Sequence, residues 1–419
     1  MNIVGIIAEY NPFHNGHKYH IQEAKRITGS DKAIVVMSGN YVQRGTPAII
    51  DKYTRTKMAL YEGADIVIEL PFTAALSSAK DFAYGAVNIL HKLGCVTHLV
   101  FGSECNNLLT LNTIADILSD ETVTFKNSLS NYLKAGLSYP RARYLAVCDE
   151  MKDETIESVL NMPNNILGIE YLCAIKELNS SIIPSTVLRV DNGYTTKTLA
   201  DTGFSSACSI RNDILKGTNS LFKHYMPDNS SLFLEEYIKS NSIMTKDDYS
   251  QLLYGKLLYL SSFPNFTQKL MEYQDINEDI ANAIKNKLPN FTSFTDFSAS
   301  LKSKNYTKTR IDRILMHILL ECTVSNCEYT RNINYAKLLG FTYNSSGILR
   351  DINDNSNFKV ITKPADAPSI LDENELSLYN QSVRNDNTYY YINYIKSVAA
   401  KKTCNKHNEM TKSIIINKC

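Results

Sequence analysis

At 419 residues the chain is long enough for two or three domains, each with its own core. Its 44% hydrophobic and 21% charged content is that of a globular protein, and a formal net charge of +1 excludes a global basic field that would by itself advertise a nucleic-acid partner. No stretch approaches the roughly 18 consecutive apolar residues of a membrane span. The N-terminal apolar run is short, is broken by Glu9 and lacks the flanks of a signal peptide, so a cytoplasmic protein with no membrane partner is expected.

The first hundred residues alternate apolar runs with helical patterns. Ile3 to Ala8, Lys32 to Ser38, Ala64 to Leu70 and Val96 to Phe101 read as strands. Between them, His17 to Thr28, Asp51 to Glu62 with Asp51 as N-cap, and Ser78 to Leu93 closed by Gly94 read as helices. Strands that are apolar throughout and alternate with helices predict an α/β domain with a parallel sheet covered on both faces. Residues near 108–160 read as a helical insertion. Asn161 to Asn165 reads as a polar turn, Ile166 to Leu178 as a helix, Ile182 to Val190 as a further strand and Ser205 to Leu215 as a helix. From Ser220 onward apolar residues recur at helical spacing, with one short β element near Lys359 to Ile361. The organisation expected is therefore a catalytic domain over 1–215 and a mainly α-helical domain over 216–419, with a terminal stretch of fifteen or so residues that frays. The nine cysteines are scattered, none forms Cys-x-x-Cys, and no metal site is expected.

Five segments carry residue types suited to chemistry. The first is the turn after the opening strand, where His14 and His17 flank Gly16 at the start of a helix. Two imidazoles beside the open N–H groups of a helix N-terminus can face one phosphate. His20, one turn on, either touches the same site or lies on the surface. The second is Gly39 to Gly45 with Arg44, followed by Lys52 and Arg55, placed after the second strand where open α/β sheets bind ligands. These cations meet a triphosphate or an RNA backbone, or else form a solvated face. The third is Gly102-Ser103-Glu104, a close-approach site for a nucleoside or an ordinary turn. The fourth is Asn164 and Asn165, which cap a helix or read a base edge. The fifth is Ser205 to Arg211, a serine-capped helix whose Arg211 suits a second phosphate loop.

The His-x-Gly-His turn after a first strand resembles the signature of the nucleotidyltransferase superfamily, which implies a Rossmann-like (HUP-type) fold and adenylyl transfer from ATP. The wider set resembles the bacterial tRNA(Met) cytidine acetate ligase family. The matching pieces are Gly5 to His17, Met37 to Gly45, Gly63 to Pro71, Phe101 to Glu104, Pro163 to Tyr171 and Ser206 to Arg211. The resemblance implies an ATP-dependent ligase that makes acetyl-adenylate from acetate, with Mg²⁺, and transfers acetyl to N4 of the wobble cytidine of elongator tRNA(Met). It assigns His14, His17 and Arg44 to catalysis. It assigns ATP contacts to the loop Ile7, Ala8, Glu9, Tyr10, Asn11, Pro12, Phe13, His14, Asn15, Gly16, His17, Lys18, Tyr19, His20, and to Gly102, Asn164, Arg189, Ser206 and Arg211. The register leaves Asn164 and Asn165 both open. Ala207 and Cys208 stand where the superfamily has hydroxyl residues. The basic helix with Lys308, Arg310 and Arg313, preceded by Lys302 and Lys304, suits a phosphate backbone or is a solvated face. Two other readings share the first loop: an adenylyltransferase for a small phosphorylated substrate, and a non-catalytic RNA-binding protein that retains a nucleotide site.

Overall fold

Apolar side chains fill the inner positions of the early strands because the sheet is buried on both sides. In the computed structural model, which describes residues 1–137, 139–153, 156–189, 205–217 and 221–418, the sheet opens with β1 (Ile3–Ala8) and β2 (Lys32–Ser38). A small antiparallel ribbon follows, β3 (Tyr41–Val42) with β4 (Thr46–Pro47). Then come β5 (Ile66–Leu70), β6 (His98–Ser103) and β7 (Ile183–Leu188). The predicted end of the last strand at Val190 lies outside the described residues. Along β1 and β2 the side chains alternate between two cores. Val4, Ile6, Ala33, Val35 and Met37 enter one, and Ile3, Ile34 and Val36 the other.

The strand order is β10-β8-β5-β2-β1-β6-β7, with β9 paired to β8. The pairs among β5, β2, β1, β6 and β7 are parallel. From β1 the chain winds outward through β2 to β5, then returns to place β6 on the other side of β1. The β1/β6 boundary is therefore the switch point of the sheet, where open α/β sheets bind ligands beyond the strand carboxyl ends.

The C-terminal part is mainly helical and carries the short β element expected at Lys359 to Ile361, but it departs from expectation at two further strands. The region after residue 220 contributes β8 (Tyr335–Thr342) to the central sheet, antiparallel to β5, and β9 (Lys359–Ile361) beside it. The terminal stretch does not fray, because β10 (Ile415–Asn417) pairs with Gly340–Thr342. A Cβ at Gly340 would run into the backbone of Ile415 and the side chain of Thr56, so glycine is what lets this last strand close in. One core joins the N-terminal strands to the helices Asp228–Ser240, Ser250–Ser261 and Lys308–Leu320 and to the long helix Glu373–Ala399. The other core packs the opposite sheet face under the helices Ala79–Lys92 and Pro163–Glu177 and the intervening helices. No helix among the described residues is long and apolar enough to cross a membrane.

Candidate active site

The loop from the end of β1 into helix α1 (Asn15–Thr28) is organised by its two histidines. His14 is the N-cap, and its Nδ1 accepts the Gly16 N–H at 3.1 Å while its own N–H donates to His17 Nδ1 at 3.2 Å. This reciprocal cap stacks the two rings, with centroids 3.6 Å apart. A Cβ on Gly16 would press against the His14 ring at 3.0 Å, so the residue between the histidines must stay small. With each Nδ1 engaged as an acceptor, a neutral ring carries its proton on Nε2. Burial, reinforced by His14, Arg189 and His20, holds His17 well below the ordinary histidine range, and burial with Arg189 pushes His20 down to about 4. His17 and His20 are thus neutral near pH 7.

These residues line a cleft of about 250 Å³ across the carboxyl ends of β1, β2, β6 and β7. On the β6/β7 side, Gly102 leaves room for the Arg189 side chain, which a Cβ there would crowd at 3.1 Å. Arg189 donates to Asn164 Oδ1 at 2.7 Å, and the Glu104 carboxylate accepts the N–H of Asn164 and of Asn165 at 3.1 and 2.9 Å. That carboxylate supplies the cap of the Pro163–Glu177 helix, which therefore starts at Pro163 rather than at the predicted Ile166. Asn164 lines the cleft. Asn165 is buried and accepts from Ser103 Oγ and from the Glu104 and Cys105 N–H groups, so it shapes the loop from behind. The Ala207–Lys216 helix, capped by Ser206, opens onto the same cleft, and Ser205, Ala207 and Cys208 line it too. Its Arg211 donates to the Asn11 carbonyl at 2.7 Å. Two helix N-termini and the guanidinium groups of Arg44, Arg189 and Arg211 converge on one cleft, an arrangement suited to a polyphosphate.

Comparison with known proteins agrees with this geometry. Residues 1–405 match the family model described as HIGH Nucleotidyl Transferase. A tRNA(Met) cytidine acetate ligase of Clostridium novyi is 38% identical over 403 residues, covering 95% of this chain and 97% of the relative. One from a Thermoanaerobacter species is 41% identical over 367 residues, covering 87% and 89%. The chain belongs to the tRNA(Met) cytidine acetate ligase family. The crystal structure of Thermotoga maritima TmcAL in an apo form superposes with a TM-score of 0.92 at 28% identity over 100% of both chains. A second structure of that protein, bound with α-thio ATP, gives 0.89 over the same coverage.

Of the loop residues carried over from the family, Ile7, Ala8, Glu9, Tyr10, Asn11, His14, Gly16, His17, Tyr19 and His20 line the cleft. Pro12, Phe13, Asn15 and Lys18 are not among its lining residues. Phe13 is buried in the core, Asn15 donates to the His224 carbonyl at 3.1 Å, and Lys18 pairs with Glu62 at 2.9 Å. Both sequence readings of Lys52 and Arg55 are corrected, since each side chain is fully buried away from the cleft. Arg55 donates to the carbonyls of Glu9, Ser38 and Gly39 and so ties the ends of β1 and β2 together. The Lys52 ammonium lies 2.8, 2.5 and 2.9 Å from Glu69, Asp386 and Glu409, the described acidic group close enough to suggest a metal. A protein cation already sits among those carboxylates.

Lys302, Lys304 and Lys308 are exposed. Arg310 pairs with Asp275 at 2.7 Å and lies over the Tyr306 ring, and Arg313 is partly buried, with its backbone against Gly45. Sequence reasoning missed Thr46, Phe82, Val187 and Leu188 as lining residues, and it named the segments that hold Val42, Gln43, Leu167 and Tyr171 without singling those residues out. Leu167 and Tyr171 were within reach, because they follow Asn164 at three and seven residues on one helix face.

Proposed function

We propose that this chain activates acetate with ATP to acetyl-adenylate and transfers the acetyl group to N4 of the wobble cytidine of elongator tRNA(Met). The observation that carries the reading is the stacked His14–His17 pair at the N-terminus of α1, on the switch-point cleft of a chain in this family. In the first step an acetate oxygen attacks the α-phosphorus of ATP and the bond to the bridging oxygen of pyrophosphate breaks. Acetate is ionised at neutral pH, so no general base is needed. The demand is for donors aimed at growing negative charge. The Nε2–H groups of His14 and His17 meet it, and Arg189 and Arg211 neutralise the phosphates. A Mg²⁺ would supply further charge neutralisation on the phosphates, and Glu9, the one carboxylate lining the cleft among the described residues, is the side chain to hold it. In the second step the N4 amine attacks the acyl carbon, the acyl–oxygen bond to AMP breaks, and the amine loses a proton. The basic surface of Lys302, Lys304 and Lys308, with Arg310 and Arg313 on the next turns, is assigned to the tRNA backbone.

The test is acetate-dependent release of pyrophosphate from ATP, with nucleoside analysis of tRNA(Met). Pyrophosphate release together with N4-acetylcytidine supports the reading. Turnover only with a small phosphorylated acceptor replaces it with the adenylyltransferase reading. Tight tRNA binding without any turnover replaces it with a non-catalytic one.

A further inference from the structure

We propose that the β3–β4 ribbon is the acid subsite of the cleft, with Arg44 and Gln43 as partners of the carboxylate and Val42 and Thr46 as the wall that limits acid length. The assignment rests on the acetate-activating reading above and deepens it.

Topology divides the cleft into three sectors. Gly102, Asn164 and Arg189 stand at the carboxyl ends of β6 and β7, on one side of β1, and form the nucleoside sector at the switch point. Ser205 to Arg211 brings a second helix N-terminus and a guanidinium, which suit the pyrophosphate. In-line displacement requires the entering oxygen to approach from the side opposite the leaving pyrophosphate. The remaining sector follows β2, on the other side of β1, and consists of Val42, Gln43, Arg44 and Thr46. It offers a cation, an amide, a hydroxyl and an apolar group, which are the needs of a short carboxylic acid.

The ribbon is also held rigidly, as a length-selecting wall must be. Glu9 Oε1 accepts the Gln43 N–H at 2.8 Å. Asn40 donates to Asp386 at 2.8 Å, accepts the Lys52 N–H at 2.9 Å and accepts the Ala48 N–H through its carbonyl at 2.9 Å. The Tyr41 hydroxyl donates to the Asn385 carbonyl at 2.9 Å. Gly45 has φ +71° and rests on the backbone of Asp312 and Arg313, where a Cβ has no room. A wall anchored at these points cannot swing aside for a longer acid.

The experiment is acid-dependent exchange of labelled pyrophosphate into ATP by the full-length chain, with acetate, propionate and butyrate. Val42→Ala should raise the propionate-to-acetate ratio of kcat/KM by about tenfold, the lower end of what one methylene is worth in an enzyme pocket. The KM for ATP should stay within about twofold. Arg44→Ala should raise the acetate KM by at least tenfold at constant ATP KM, and Arg44→Lys should recover part of the loss. Arg44→Ala also covers the case in which Val42→Ala fails to fold. If the variants move the ATP KM and leave acid preference and acetate KM unchanged, the ribbon belongs to the phosphates and the assignment falls. If the parent chain exchanges with no acid, the reading of the reaction itself falls.

Discussion

The two flanks of the cleft are built by different parts of the chain. The nucleoside flank is self-contained. Ser103, Glu104, Asn164, Asn165 and Arg189 satisfy one another through hydrogen bonds, all within the first 189 residues. The ribbon flank is held from behind by residues that follow it by more than two hundred positions. Asn385 and Asp386 come from the long helix, Asp312 and Arg313 from the Lys308–Leu320 helix, and Tyr249 touches the Tyr41 hydroxyl at 3.4 Å. Nucleotide binding can therefore be altered without touching the C-terminal helices. The acceptor side cannot be built without them, which gives the C-terminal region a structural task inside the catalytic cleft.

The sharpest way to break that contrast is Lys52→Met. It would leave Glu69 and Asp386 without their cation and Glu409 with Lys337 alone, and removing one partner of a buried ion pair costs about 3–5 kcal/mol. Urea denaturation should show this loss or outright failure to fold. Retention of parental stability would mean that the network does not hold the ribbon. Next in size is the centre of the cleft, which belongs to neither flank. His14→Ala or His17→Ala removes one preformed donor and should slow adenylate formation by about 10²–10³-fold. Single-turnover kinetics should show this, alongside a fall in stability of about 1 kcal/mol for either substitution because each histidine is half of the helix cap. The adjacent asparagines come third. Asn165→Ala strands the Ser103, Glu104 and Cys105 donors and should destabilise by about 1–3 kcal/mol. Asn164→Ala should instead raise the KM for ATP with little change in stability.

What was legible in the sequence follows the range of each residue's partners. His14, Gly16 and His17 cap and stack within four positions, so their spacing alone implied the turn. The strands β1, β2, β5 and β6 could be read because each is bounded by turn residues and mostly buried, and β7 from its β-branched run, whereas the two-residue strands of the β3–β4 ribbon are too short to show a pattern. Lys52 and Arg55 misled for the opposite reason. A lysine and an arginine one turn apart on a helix look like a surface or a phosphate grip. Their actual partners are strand-end carbonyls and carboxylates, two of which lie more than three hundred residues away. β8 was hidden because its run of buried residues sits among helices, where length and periodicity do not separate a short strand from a helical turn. Choosing Asn164 over Asn165 needed Ser103 and Glu104 in place, since neighbouring asparagines are equivalent until something consumes one of them.

The smallest expected effect concerns pH and probes the centre of the cleft, where Arg189 of the nucleoside flank acts on His20. Burial and Arg189 lower His20 to about 4 in the folded chain, against about 6.5 when unfolded. The unfolded state therefore binds the proton first as pH falls. The stabilising contribution is complete above about pH 6.5 and is lost progressively on acidification towards 4. Between pH 7.5 and 5.5 this one group should remove about 1 kcal/mol of stability, on the order of one proton over one pH unit. His17, lowered in the same direction, adds to the fall. Urea midpoints at the two pH values should show the loss, and His20→Gln should reduce it, because the amide does not titrate. An unchanged pH slope in that variant would mean that His20 is already solvated or charged in the folded protein. The ribbon flank should not follow this titration, since its anchors near Arg44 are hydrogen bonds to Glu9, Asn385 and Asp386 rather than to histidine. Acid preference in the exchange reaction should accordingly stay constant from pH 7.5 to 5.5 while stability declines.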